Sequence, residues 1–127
     1  MRFNEPLFVI SVAARLVEMH PQTLRKYERE GLIIPSRTAG NLRLYSDQDI
    51  ELLRQVKYLV EDRGLNLAGV QMALELTRRL KDLRDAVEGS AADGSRASGR
   101  GRQSGTAAEF CNRLDDLLRL LGIDVTS

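Results

Sequence analysis

Gln22, Thr23, Arg25, Lys26 and Arg29 fall within a span of eight residues, and two more arginines, Arg37 and Arg43, stand on either side of a turn just downstream. A glutamine amide both donates and accepts, so it can pair the edge of adenine through two hydrogen bonds. The forked guanidinium of arginine does the same for guanine. Lysine and arginine also neutralise phosphates. The chemistry within reach is therefore the noncovalent reading of duplex DNA. Gln22, Thr23 and Arg25 are expected at base edges in the major groove. Arg43, and secondarily Arg37, are expected on phosphates or in the adjacent minor groove, with Lys26, Arg29 and Tyr45 positioning the backbone. Between His20 and Tyr45 five basic residues face two acids, Glu28 and Glu30, a local excess of +3 in a chain whose net charge is +1. Charge alone does not decide the matter, because a helix followed by a hairpin is a common packing unit and such residues also form ordinary solvated faces. The order helix, turn, helix, wing is what favours a DNA-gripping device.

Covalent chemistry has little to work with. The chain holds one histidine, His20, and one cysteine, Cys111. No Ser/His/Asp, Cys/His or metal-ligand constellation can be drawn from them, so neither an enzyme nor a metal or other cofactor is expected. Cys111 cannot form an internal disulfide and reads as a small packing residue.

The elements that must position the basic residues follow from local patterning. Residues 23–30 read as a helix with Leu24 and Tyr27 turned to a core that Leu32 joins. Gly31 stops it, as glycine does just past a helix end. Ile33-Ile34-Pro35 turns the chain extended, and Thr38-Ala39-Gly40-Asn41 supplies residues that tolerate φ > 0 at a hairpin tip. Upstream, the apolar run 7–10 fits an edge strand, Ser11 is a candidate N-cap for a helix over 12–17, and Glu18-Met19 makes a turn. His20 then caps the basic helix, with Pro21 at its first position, where a missing N–H costs nothing. Downstream, Ser46 caps a helix whose stripe is Ile50, Leu53, Val56 and Leu59, ended by Gly64. Asn66 caps a further helix with Leu67, Val70, Leu74 and Thr77 on one face.

Leu76, Leu80, Leu83 and Val87 alternate steps of four and three, the seam of a coiled coil, and are the expected dimerisation residues. The competing reading is one amphipathic helix packing on its own domain. Residues 89–106, rich in Gly, Ser and Arg, read as a flexible linker in which Arg96, Arg100 and Arg102 either graze phosphates or solvate the chain. Residues 108–121 return to helix, with Phe110, Leu114, Leu117, Leu118 and Leu121 as an apolar face. That face must pack on its own chain, on a second copy or on another protein. The expected organisation is mainly α with a small β wing: a winged helix-turn-helix domain over 1–75, a dimerisation helix over 76–88, the linker, and a short terminal helix within 107–127. With 43% hydrophobic and 5% aromatic residues, 127 residues make one domain's core and an appended arm. No apolar run approaches a bilayer's thickness and MRFNEPLF lacks a signal peptide's order, so a cytoplasmic, nucleoid-associated protein is expected, with no membrane partner.

Ile10-Ser11-Val12-Ala13-Ala14, then Thr23-Leu24-Arg25, Tyr27-Glu28, Gly31-Leu32, Pro35, Arg37, Arg43 and Tyr45 together resemble the MerR family of winged-helix regulators over the first three fifths of the chain. Two positions depart from that pattern. Lys26 stands where many members carry the first of two tyrosines, exchanging a phosphate-bonding hydroxyl for a point charge. Asn41 stands where a wing glycine is usual, and asparagine still tolerates the left-handed conformation. Within the family, MHPQTLRKYEREGLIIPSRT, RLYSDQDIELLR and GLNLAGV look most like its repressors of chaperone genes. That likeness implies a homodimer on an inverted-repeat operator, with a DnaK-type chaperone as co-repressor. Two other functions stay open: an effector-responsive activator, for which residues 89–127 offer little to build a pocket, and a chaperone-modulating interaction module that does not bind DNA. No small-molecule ligand is expected.

Overall fold

The computed structural model describes residues 5–98 and 101–124, with the backbone alone described for 90–98 and 101–104. The chain divides into two compact units, Met1–Leu67 and Ala68–Ser127.

The first unit begins with strand β1 (Pro6–Val9), which runs directly into helix α1 (Ile10–Val17). Ser11 does not cap this helix. Val9 does, without a side-chain hydrogen bond, because its pairing with Leu44 fixes where the strand ends and the helix starts. Glu18 then takes the left-handed conformation, φ 55°, and donates its N–H to the Arg15 carbonyl while Met19 donates to that of Ala14. This closes the expected turn. Helix α2 (Pro21–Arg29) starts as expected, with the His20 ring accepting from the Gln22 N–H at 3.0 Å and Pro21 at the first helical position. Gly31, at φ 79°, ends it: Gly31 donates to the Glu28 carbonyl and Leu32 to that of Tyr27, the paired bonds of a left-handed C-terminal cap.

The wing is strands β2 (Ser36–Arg37) and β3 (Arg43–Ser46), joined by a tip in which Asn41 donates to the Thr38 carbonyl and Thr38 to that of Leu42. Asn41 occupies the left-handed region there, φ 67°. The hairpin is not free-standing, since β1 pairs antiparallel with β3 and makes a three-stranded sheet in the order β1-β3-β2. Ser46 and Asp49 form a reciprocal capping box at the start of α3 (Asp47–Lys57). Its expected stripe is realised: Ile50, Leu53, Val56 and Leu59 are buried, as are Ala13, Ala14, Val17, Leu24 and Tyr27, and together they form the core of this unit. The last turn of that run, Tyr58–Asp62, widens into a π-helix before Gly64. Arg54 and Lys57 reach back across the chain, Arg54 to the Leu16 carbonyl and the Lys57 ammonium to those of Val17 and Glu18. The two cations thus meet the negative end of α1.

The second unit is two helices, α4 (Leu67–Ser98) and α5 (Gly101–Leu120). The boundary expected at residue 75 falls inside α4, whose backbone crosses it without a break. The linker expected over 89–106 is helical through Ser98 and again from Gly101. Extending an existing helix adds a hydrogen bond per residue without repeating the cost of nucleation, so a Gly/Ser-rich composition does not by itself end one. The side chains of Arg96, Arg100 and Arg102 lie outside the described residues.

On α5 the buried stripe is Cys111, Leu114, Asp115 and Leu118, at i, i+3, i+4 and i+7. It is rotated from the one expected, for Phe110 and Leu117 are 42% and 47% exposed. The rotation has a cause in Asp115, which Arg84 of α4 grips at 2.5 and 3.2 Å. Turning Asp115 inward to meet Arg84 carries Phe110 and Leu117 outward. The helix therefore packs on its own chain, one of the three alternatives, and Cys111 sits in the packed stripe.

Candidate nucleic-acid interface

Gln22, Arg25, Lys26 and Arg29 follow the spacing i, i+3, i+4 and i+7, which places them on one stripe of α2. Leu24 and Tyr27 anchor the opposite side, at 0% and 6% exposure. Gln22, Lys26 and Arg29 are exposed, and Arg25 is half-buried. Thr23 is also half-buried and lies off this stripe, at the first turn, where its N–H donates to the His20 carbonyl at 2.9 Å. α2 therefore presents a polar, basic edge of the dimensions a major groove admits.

The wing arginines are brought to the same helix. Arg37 and Arg43 are cross-strand partners, and Glu28 of α2 receives both of them. Arg37 donates through Nη2 to Oε2 at 2.8 Å, and Arg43 through Nε to Oε1 at 2.6 Å. Arg37 also donates through Nη1 to the Asn41 carbonyl at 3.2 Å, which ties the tip of the wing into the same cluster. Partial burial pushes the Glu28 carboxyl up. The hydrogen bonds from Arg43 and Arg37 and their charges outweigh it and hold the group below its ordinary value.

The sequence shows Glu28 as part of the family pattern and as an acid opposing the basic excess, and assigns it no role at the interface. A signal is nevertheless present: two arginines flanking a hairpin tip face each other across the strands, and like charges so placed call for an anion between them.

Tyr45 requires a correction. Its ring is 0% exposed and its hydroxyl, fully enclosed, has no hydrogen-bond partner among the described residues. Strand β3 is the central strand of the sheet, and the core takes Tyr45 from beneath it. Tyr45 cannot touch a DNA backbone from there. Burial, with the neighbouring Glu28 charge, pushes its phenol up.

The expected seam residues are exposed or half-buried in the single chain. Leu76 and Leu83 are 47% and 44% exposed, while Leu80 and Val87 are half-buried. Among the described residues no cluster of three His, Cys, Asp or Glu could hold a metal, and no helix is long and apolar enough to cross a membrane. A cleft of about 430 Å³ lies at the end of α1, lined among others by Glu18, Arg54, Lys57 and Glu61. Arg54 and Lys57 are already engaged there by the α1 carbonyls.

A helix-turn-helix with a sheet-borne wing and a basic edge on its recognition helix defines a winged helix-turn-helix DNA-binding protein. The sequence matches the MerR HTH family regulatory proteins over residues 8–77, more than half of its length, and the chain belongs to that family. It is 49% identical over 109 residues to the putative heat shock protein HspR of Streptomyces coelicolor, a match covering 84% of this chain and 72% of that protein. It is 40% identical to the HTH-type transcriptional regulator GlnR of Bacillus anthracis over 58% of this chain and 56% of the relative. The match to the HTH-type transcriptional regulator MlrA of Escherichia coli is 39%, over 54% of this chain and 28% of that protein. The GlnR and MlrA matches span 73 and 69 residues, whereas the HspR match spans 109. GlnR and MlrA are HTH-type transcriptional regulators, and DNA is the partner that the MerR HTH family implies.

Proposed function

We propose that this chain is a repressor of chaperone genes that binds an inverted-repeat operator as a homodimer, with a DnaK-type chaperone as co-repressor. The observation that carries the DNA-binding part is the joining of the α2 stripe to the wing arginines through Glu28, so that helix and wing present one basic surface. The chaperone-gene part is supported by the identity to HspR extending well past the helix-turn-helix. One helix and one wing contact too few base pairs for useful specificity. Two copies about a two-fold axis double the contacts and read a repeat of matching symmetry. Leu76 and Leu83 on α4 offer the apolar seam for that pairing. Exposed Phe110, Leu117 and Leu120 on α5 are the face we assign to the chaperone.

The reading is tested by selecting duplexes from a random library about three helical turns long with the full-length protein, then titrating the enriched duplex with and without a DnaK-type chaperone. The expected result is an inverted repeat whose half-sites lie about one helical turn apart, bound by two chains and bound more tightly with the chaperone. An enriched site lacking two-fold symmetry would remove the dimer, and an unchanged titration curve would remove the co-repressor.

A further inference from the structure

Arg37 and Arg43 stand opposite each other on one face of the wing, and the nitrogens they spend differ. Arg37 commits Nη2 to Glu28 and Nη1 to the Asn41 carbonyl, so its work is to fasten the wing tip to the recognition helix. Arg43 commits only Nε. Its two terminal nitrogens make no hydrogen bond among the described residues, and its side chain keeps 26% of its surface open. Glu28 thus does not cancel Arg43. It holds the guanidinium by its inner nitrogen and leaves the outer pair, the fork suited to a phosphate, unspent.

From this we infer that Glu28 is the positioning residue of the interface: through Arg37 it sets the wing against the recognition helix, and through Arg43 Nε it presents the Nη pair to a DNA phosphate. The inference rests on the DNA-binding reading above and makes a claim that charge counting opposes. An acid on a DNA-facing surface repels phosphates, so removing it should tighten binding and steepen the salt dependence if charge were all it contributed. A positioning role gives the opposite sign.

The experiment uses the full-length chain and two probes, the duplex enriched by the wild-type protein and a scrambled duplex of the same composition, titrated over a series of salt concentrations. Glu28→Gln keeps the shape of the side chain and removes its charge, and its amide can accept through only one oxygen. The expected result is a loss of roughly tenfold or more on the enriched duplex, with a salt slope flatter by about one per chain, while binding to the scrambled duplex is unchanged or tighter. Arg43→Lys, a substitution that preserves charge, should reproduce the loss, because one ammonium cannot serve Glu28 and a phosphate as separate nitrogens of a rigid fork do. The double variant should lose little more than either alone, as expected of residues acting as one unit. Binding is read below the melting temperature of every variant, established by circular dichroism. If Glu28→Gln binds the enriched duplex as tightly as wild type with an equal or steeper slope, or if Arg43→Lys binds as wild type, the positioning role is overturned. Failure of the wild-type protein to enrich any duplex would instead overturn the DNA-binding reading, and this inference with it.

Discussion

The arginine–carboxylate cluster at the wing and the one that joins α4 to α5 are built in opposite senses. In the wing cluster one carboxylate, Glu28, holds two arginines. In the helical pair one arginine, Arg84, is held by two carboxylates: Asp115 takes Nε and Nη2, and Glu88 takes Nη1. Exposure does not separate them, for the Arg37 and Arg84 side chains are 34% and 31% exposed. Donor accounting does. The wing cluster carries a net positive charge with the Arg43 fork unspent. The helical cluster carries a net negative charge with all three guanidinium nitrogens engaged. A guanidinium with nitrogens to spare can serve a polyanion, and one with none can only hold its own fold together.

That contrast is most strongly tested on the second unit, where Leu76 and Leu83 stand exposed on α4, so that unit should serve DNA binding by pairing two chains. Leu76→Glu with Leu83→Glu alters side chains already exposed in the single chain, so folding should survive while the dimer does not. Sedimentation velocity should show a monomer, and affinity for the enriched duplex should fall by about 10²–10³ as the second half-site becomes an independent event. A variant that stays dimeric would place the interface elsewhere, on α5.

Exchanging the roles of the two arginines gives the next largest effect. Arg84→Ala strands Asp115 and should destabilise the α4–α5 pair by about 2 kcal/mol, a figure already reduced for the access solvent has to the Arg84 side chain. Its salt slope for DNA should match wild type at temperatures where it is folded. Arg43→Ala should do the reverse, flattening the slope by about one for each phosphate it no longer neutralises, with a stability change within about 1 kcal/mol. Denaturant melts beside salt-dependent titrations resolve the two, and equal slopes for both variants would erase the distinction.

Base reading separates from both clusters. Gln22→Ala should cost about 1–3 kcal/mol of discrimination at one base pair in each half-site, with the salt slope unchanged. Competition among single-substituted duplexes measures it, and a wild-type preference would reduce Gln22 to a helix-start residue.

The smallest effect is in pH. The hydrogen bonds from Arg84 hold the Asp115 carboxyl below its ordinary value against the opposing push of burial, and the Arg84 and Arg119 charges add to them. Because the folded value lies below the unfolded one, the stabilisation is fully present above about pH 4 and is lost as pH falls through the lower, folded value. Melting temperatures of wild type and Asp115→Asn should therefore converge as the solution is acidified below about pH 4. A gap that stays constant through that acidification would show that Asp115 acts through packing and not through charge.

Much of the first unit is legible because its signals are local. His20 with Pro21, Gly31, Asn41, and Ser46 with the helix it caps each act within a few residues, and each is found in its expected role. Ser11 misleads because strand pairing of Val9 with Leu44, distant in sequence, sets the helix start instead. Tyr45 misleads because a polar tip on an aromatic ring reads alike for a surface and a core position. Its burial follows from β3 being the middle strand, which requires β1 to join the wing. On α5 the apolar residues alone leave the face only partly resolved: Leu114 and Leu118 are buried as expected, but Phe110 and Leu117 are not, and Asp115 sets the rotation.

By itself the sequence determined the family, the order of helices and wing, the helix ends at His20, Gly31 and Ser46, and the stripe Gln22, Arg25, Lys26 and Arg29, all of which depend on side chains meeting backbone or helix neighbours a turn away. Only the tertiary structure decided which charges are spent. Glu28 meets Arg37 and Arg43 across 9 and 15 residues, and Arg84 meets Asp115 across 31. An ion pair depends on distance in space, and at those separations no periodicity along the chain records it.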